Sequence, residues 1–127
     1  PLLSVFTGWL LQVCDFGLSR VLTGDRTHVS TRPYGTPTHM APELWTKGHM
    51  SQPADVYAFG ITLWELATGE RPYKGLNAAR ILHQVLLNGG RPPLPMWLPP
   101  SYTRLMTSCW AQTPNDRPTF GEIVRHL

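Results

Sequence analysis

Few residues in this 127-residue chain have both the type and the setting for chemistry. Asp15 closes an apolar approach, Gln12-Val13-Cys14, and Gly17 lets the backbone turn away two places on. Read locally, Asp15-Phe16-Gly17 is an Asp-x-Gly turn at a strand end, too short a signal to carry a reaction alone. A second acid, Asp55, opens the apolar stretch Val56 to Ala67. A lone carboxylate on a buried helix must find hydrogen-bond donors, because an unpaired buried charge is very costly. Either it caps its own first turn or it holds the backbone of another segment. Cys14 and Cys109 lie far apart with no CxxC spacing, and the five histidines are dispersed, so no metal-ligand spacing is present. Two reduced thiols in a cytoplasmic protein is the default reading.

The element that must carry Asp55 covers residues 53–67. Its apolar residues Val56, Phe59, Leu63, Leu66 and Ala67 recur at three and four places, the helical period. Ile61 and Trp64 lie off that stripe, so the pattern predicts a helix with neighbours on every side. Ser51 suits the N-cap, Pro53 the first turn and Gly69 the stop. Broken by Glu65, the stretch is too short to span a bilayer. Before it, the apolar residues 1–14 suit a strand or two. Residues 15–43 carry Gly, Pro, Ser and Thr with little periodicity, and a loop that long inside a compact domain is usually functional. A brief helix is expected near Ala41-Pro42-Glu43-Leu44-Trp45. Asn77 to Leu87 reads as an amphipathic helix with Ala78, Ile81, Leu82, Val85 and Leu86 on one side. Residues 89–100 form a Pro/Gly-rich loop. Ser101 to Trp110 reads as a helix with Leu105, Met106, Cys109 and Trp110 inward. The last helix opens on the capping box Thr119-x-x-Glu122 and continues through Ile123, Val124 and Leu127.

The bulk numbers bound the class. The length allows one domain with a sizeable core, and 42% hydrophobic content is ordinary for a globular chain. The 13 prolines are about twice the usual share, so long irregular connections are expected. The net charge of +3 is spread without a Lys/Arg run, which disfavours a nucleic-acid partner. Leu2 to Leu11 lacks the basic flank and cleavage site of a signal peptide, and no membrane segment is expected. The chain reads as an interior segment of a longer one.

The tripeptide gains meaning from the motifs that succeed it along the chain: Gly35-Thr36-Pro37, Ala41-Pro42-Glu43, Asp55-Val56-Tyr57-Ala58-Phe59-Gly60, Trp110, and Asp116-Arg117-Pro118-Thr119-Phe120. Together these resemble the C-terminal lobe of a protein kinase domain, five motifs in the family's order and spacing. The resemblance implies a mainly α fold: a kinase-like C-lobe helical bundle with a short β segment at the N-terminus and no N-terminal lobe. Residues 1–12 are then an atypical apolar lead-in, and residues 13–127 a partial kinase domain.

The resemblance also implies roles. Asp15 would chelate the Mg²⁺ that bridges the ATP phosphates, with Phe16 packing inward and Gly17 permitting the segment to flip. Residues 18–40 would be the activation and substrate-docking loop. Its hydroxyls Thr23, Thr27, Ser30 and Thr31 are candidate phosphoacceptors, each of which also reads as an ordinary solvated loop residue. Arg20 or Arg32 would pair with an added phosphate. Gly35-Thr36 resembles the docking pattern of enzymes acting on serine or threonine, and the Asp55-to-Leu66 phrase with Cys109-Trp110 resembles their tyrosine-kinase-like branch. His39 stands where an aromatic residue is common and reads as a packing or hydrogen-bonding residue. Glu43 and Arg117 would form a buried ion pair, and Asp55 would accept backbone N–H groups from the catalytic loop.

These 127 residues contain no Gly-rich phosphate loop, no phosphate-gripping strand lysine and no His-Arg-Asp segment, so the catalytic base is absent. Phosphoryl transfer depends on positioning and charge stabilisation. The chain alone is therefore expected to be inactive. It reads as part of an ATP- and Mg²⁺-dependent kinase of protein Ser/Thr substrates or, alternatively, as a non-catalytic kinase-like interaction module.

Overall fold

The structure, a computed structural model, describes residues 12–22, 28–30 and 35–126. Along the described chain run β1 (Val29–Ser30), α1 (Pro42–Lys47), β2 (His49–Met50), α2 (Gln52–Thr68), α3 (Ala78–Leu87), α4 (Pro100–Cys109) and α5 (Phe120–His126). Single 3-10 turns sit at Phe16–Leu18, Pro37–His39 and Pro114–Asp116. β1 and β2 pair antiparallel, Val29 opposite Met50 and Ser30 opposite His49. The strands expected over residues 1–14 lie outside the described residues as far as residue 11, and residues 12–15 have no regular structure.

α2 begins and ends for local reasons. Ser51 Oγ accepts the Ala54 N–H at 3.4 Å, Pro53 sits in the first turn, and Gly69 stops the helix in the left-handed region at φ 67°. One face, carrying Tyr57, Ile61 and Trp64, packs with Met106 and Trp110 at α4 and with Leu98 and Ala41. Each such side chain, fully buried, contributes on the order of 1.5–3 kcal/mol. A second face sets Val56 against Cys109 of α4 and Ile123 of α5. Between them lies Gly60, where an added Cβ would meet Cys109 Cβ at 2.9 Å and the Met106 carbonyl oxygen at 3.2 Å. Only a glycine lets α2 and α4 approach this closely.

Polar bonds tie the loops to this pair of helices. Trp64 Nε1 donates to the Pro93 carbonyl at 2.7 Å, and the Tyr102 hydroxyl donates to the Leu63 carbonyl at 2.6 Å. The capping box of α5 forms in full: Glu122 N–H donates to Thr119 Oγ1 at 3.2 Å, and Glu122 Oε2 accepts from Thr119 N–H at 2.7 Å. Three apolar residues of these helices face water. Leu66 is 69% exposed, because α4 and α5 cover two faces of α2 and leave a third to water. Val124 and Ala78 are exposed likewise, since α5 and α3 each offer the bundle a narrow stripe, Ile123 in one and Ile81 with Val85 in the other. Among the described residues no helix is long and apolar enough to cross a membrane.

Candidate functional site

A cavity of about 600 Å³ opens where the start of α2 meets the segment leading into α1. Asp15, Gly35, Thr36, His39, Asp55 and Ala58 are among its lining residues. Asp15 enters it in a left-handed conformation, φ 63° and ψ 69°, just before the Phe16–Leu18 turn. Aspartate tolerates that region better than most residues, at a cost of roughly 1 kcal/mol. The residue of this tripeptide with positive φ is therefore Asp15 and not Gly17. Phe16, expected to pack inward, is 68% exposed. An aromatic ring packs only where an apolar surface is offered to it, and the neighbouring residues 12–17 are themselves all exposed.

The apolar neighbours of Asp55 predict a buried setting, and the kinase resemblance implies that its carboxylate accepts backbone N–H groups from a catalytic loop. It is instead an exposed residue at the cavity wall, and its carboxylate has no hydrogen-bond partner among the described residues. It does not cap its own helix either, because Ser51 does that. Partial burial still pushes the Asp55 carboxyl above its ordinary range.

The docking segment borders the same cavity. Gly35 has φ 132°, a value that favours glycine, and Thr36 follows exposed. The His39 N–H donates back to the Thr36 carbonyl at 2.9 Å and closes the turn. On its far side, His39 Nε2 lies 3.0 Å from Glu65 Oε2 of α2, and Nδ1 lies 2.9 Å from Thr38 Oγ1. Of the four candidate phosphoacceptors, Thr23, Thr27 and Thr31 lie outside the described residues. Ser30 is in β1, opposite His49. Beside that pairing the rings of His28 and His49 stack with centroids 3.8 Å apart. Desolvation first, then the positive charge of a protonated His28 and of Lys47, lower the His49 pKa.

Beneath this face the structure joins Glu43 of α1 to Arg117 across 74 positions of sequence. The pair is bidentate, Nη1 to Oε1 at 2.7 Å and Nη2 to Oε2 at 2.9 Å, and both residues are buried. Arg117 also donates to the carbonyls of Pro53 at 2.8 Å and Ala111 at 2.9 Å, so one guanidinium binds the start of α1, the start of α2 and the chain after α4. Above it, the Tyr57 ring lies between two guanidinium groups, Arg91 at 5.0 Å and Arg117 at 5.1 Å. Burial raises the pKa of the Tyr57 hydroxyl. Arg91, which also donates to the Trp110 carbonyl at 2.9 Å, sits in a Gly/Pro-rich loop whose local pattern does not single it out.

A family model, protein tyrosine and serine/threonine kinase, matches residues 5–127. A probable serine/threonine-protein kinase of Dictyostelium discoideum is 41% identical over 92% of this chain and 13% of its own length. A second from the same organism is 42% identical over 92% of this chain and 8% of its own. Human mitogen-activated protein kinase kinase kinase 11 is 39% identical over 92% of this chain and 14% of its own. The chain thus spans less than a fifth of the length of these curated relatives. A match over nearly the whole chain, together with this helical bundle, leads to one conclusion: the chain belongs to the protein tyrosine and serine/threonine kinase family.

Proposed function

We propose that this chain is the C-lobe part of an ATP-dependent protein serine/threonine kinase, of the tyrosine-kinase-like branch, that transfers phosphate to Ser or Thr of a protein substrate. The observation that carries the reading is that Asp15, Gly35-Thr36 and Asp55 share one cavity. Among the described residues no three His, Cys, Asp or Glu side chains gather as a metal cage. Asp15 is an exposed carboxylate at the cavity wall, the hard oxygen ligand that Mg²⁺ carried on ATP would take. Such a cation, when bound, neutralises charge on the phosphates. Asp15 would hold it, and Gly35-Thr36 would offer backbone to the acceptor segment. The unpartnered carboxylate of Asp55 supports its reading as an acceptor of backbone N–H groups from a catalytic loop. Ser30, Thr23, Thr27 and Thr31 remain the candidate sites of regulatory phosphorylation. The free thiols Cys14 and Cys109 agree with a cytoplasmic setting.

In a chain that carries the glycine loop, lysine and His-Arg-Asp segment ahead of Asp15, phosphate transfer to a Ser-containing peptide is expected. Asp15→Asn should reduce it to background. Transfer that survives Asp15→Asn, or that prefers Tyr peptides, would overturn the assignment. A second reading, a non-catalytic interaction module, is favoured for the 127 residues alone by Phe16, which stands exposed rather than packed inward. A calorimetric titration with Mg-ATP should then detect no micromolar site; finding one would remove that reading.

A further inference from the structure

Among the described residues, a single side-chain polar link joins the Gly35-Thr36 segment to α2, and it runs through His39. We propose that His39 is a positioning residue for the acceptor, splinting the docking segment to α2 through Glu65. This deepens the kinase reading above and rests on it.

The ring is used at both ends. Ionised Glu65 only accepts, so Nε2 carries the proton and donates across 3.0 Å. In the neutral ring Nδ1 then accepts the Thr38 hydroxyl across 2.9 Å. With both nitrogens engaged in this way, a neutral ring is held in the Nε2–H tautomer and one orientation. Each end of the link is anchored. Glu65 stands in the last turns of α2, where its own carbonyl accepts the Gly69 N–H at 2.8 Å. His39 closes the 3-10 turn back onto Thr36, and the next two residues, Met40 and Ala41, are buried.

Among the described residues, Gly35 and Thr36 themselves make few side-chain contacts. An added Cβ at Gly35 would meet nothing nearer than Met40 Cγ at 3.7 Å. Thr36 is exposed and its side chain caps nothing. Among the described residues, Gly35-Thr36 is therefore linked to α2 through the turn and the His39–Glu65 bond. A plain aromatic ring at position 39 would fill the same volume yet could not reach Glu65 with a donor.

The test uses the 127-residue chain and two readouts. The imidazole nitrogen spectrum should show His39 as the Nε2–H tautomer, and Glu65→Leu should abolish that preference. Amide exchange at His39 and Met40, which close the turn, should quicken about tenfold in His39→Phe and in Glu65→Leu, with α2 amides unmoved. The double variant should be no faster than either, whereas Glu65→Gln, which still accepts a hydrogen bond, should stay within about twofold of the parent. Unchanged exchange in His39→Phe, or an Nδ1–H tautomer, overturns the splint. A Ser-containing peptide, added separately, should shift Gly35 and Thr36 and bind about tenfold more weakly to His39→Phe. If exchange and tautomer behave as expected but no acceptor peptide perturbs Gly35-Thr36, the docking reading of the segment is what fails.

Discussion

The two sides of α2 are finished to different degrees. On the α4 and α5 side, Arg117 spends its donors on Glu43, Pro53 and Ala111, and Gly60 lets the helices touch. On the cavity side, Asp55 has no partner among the described residues, Asp15 is exposed in a left-handed conformation and Phe16 stands in solvent. A buried charge is costly unless paired, so the completeness of the first side underlies the chain's stability. The second side can leave acids open because water still reaches them, and open acids beside a cavity are what a binding face requires. The contrast assigns stability to one side of the helix, and the proposed chemistry belongs to the other.

The thiols test this contrast most sharply. Burial pushes Cys109 up to about 11, whereas Cys14 is exposed beside Asp15. A shift of about two pKa units alone depletes the reactive thiolate about a hundredfold. Near neutral pH, a maleimide-type reagent should label Cys14 at least about a hundredfold faster than Cys109, and comparable rates would mean that the α2–α4 contact opens readily. Next comes the clamp. Arg117→Ala strands Glu43 in the interior and should cost about 3–5 kcal/mol. Arg80→Ala, on the exposed side of α3, should stay within about 0.5 kcal/mol. Equal melting temperatures for the two variants would refute the clamp's role.

Gly60→Ala is smaller. Alanine favours a helix by up to about 1 kcal/mol, but a Cβ at 2.9 Å from Cys109 forces α4 outward, and overpacking of this kind costs about 1–3 kcal/mol. A lower urea midpoint is expected; a higher one would show that the helices have room to spare. The smallest effect belongs to the open side. Burial raises the folded-state pKa of Asp55, so the folded chain binds its proton more tightly than the unfolded chain. Stability is therefore lost as pH rises from the ordinary carboxylate value through the raised one. Asp55→Asn should stabilise the chain at neutral pH by less than about 1 kcal/mol, since water screens the group, and the gain should vanish in acid. A loss at neutral pH would reveal a partner for Asp55.

Signals that act over a few residues were legible in the sequence. Ser51, Gly69 and the Thr119–Glu122 box mark helix ends because their bonds close within four positions of the chain. The spacing of apolar residues likewise set the spans of α2, α3 and α4 to within a few residues. The meeting of Glu43 with Arg117 is contained in no such pattern; it came from motif order and resemblance, which is information about relatives.

What tertiary structure alone decided lies farther apart. Leu66 is as apolar as Leu63, yet one is exposed and the other buried, because helices distant in sequence cover only some faces of α2. His39 finds Glu65 across 26 positions, and Arg91 finds the Tyr57 ring through a loop without periodicity. Asp55 looked like a buried acid because its neighbours are apolar, but burial is a property of what packs against a residue. Sequence determines which groups must be satisfied and where helices begin and end. Which groups meet, and which are left facing a cavity, depends on contacts that close long loops and so exists only in the folded chain.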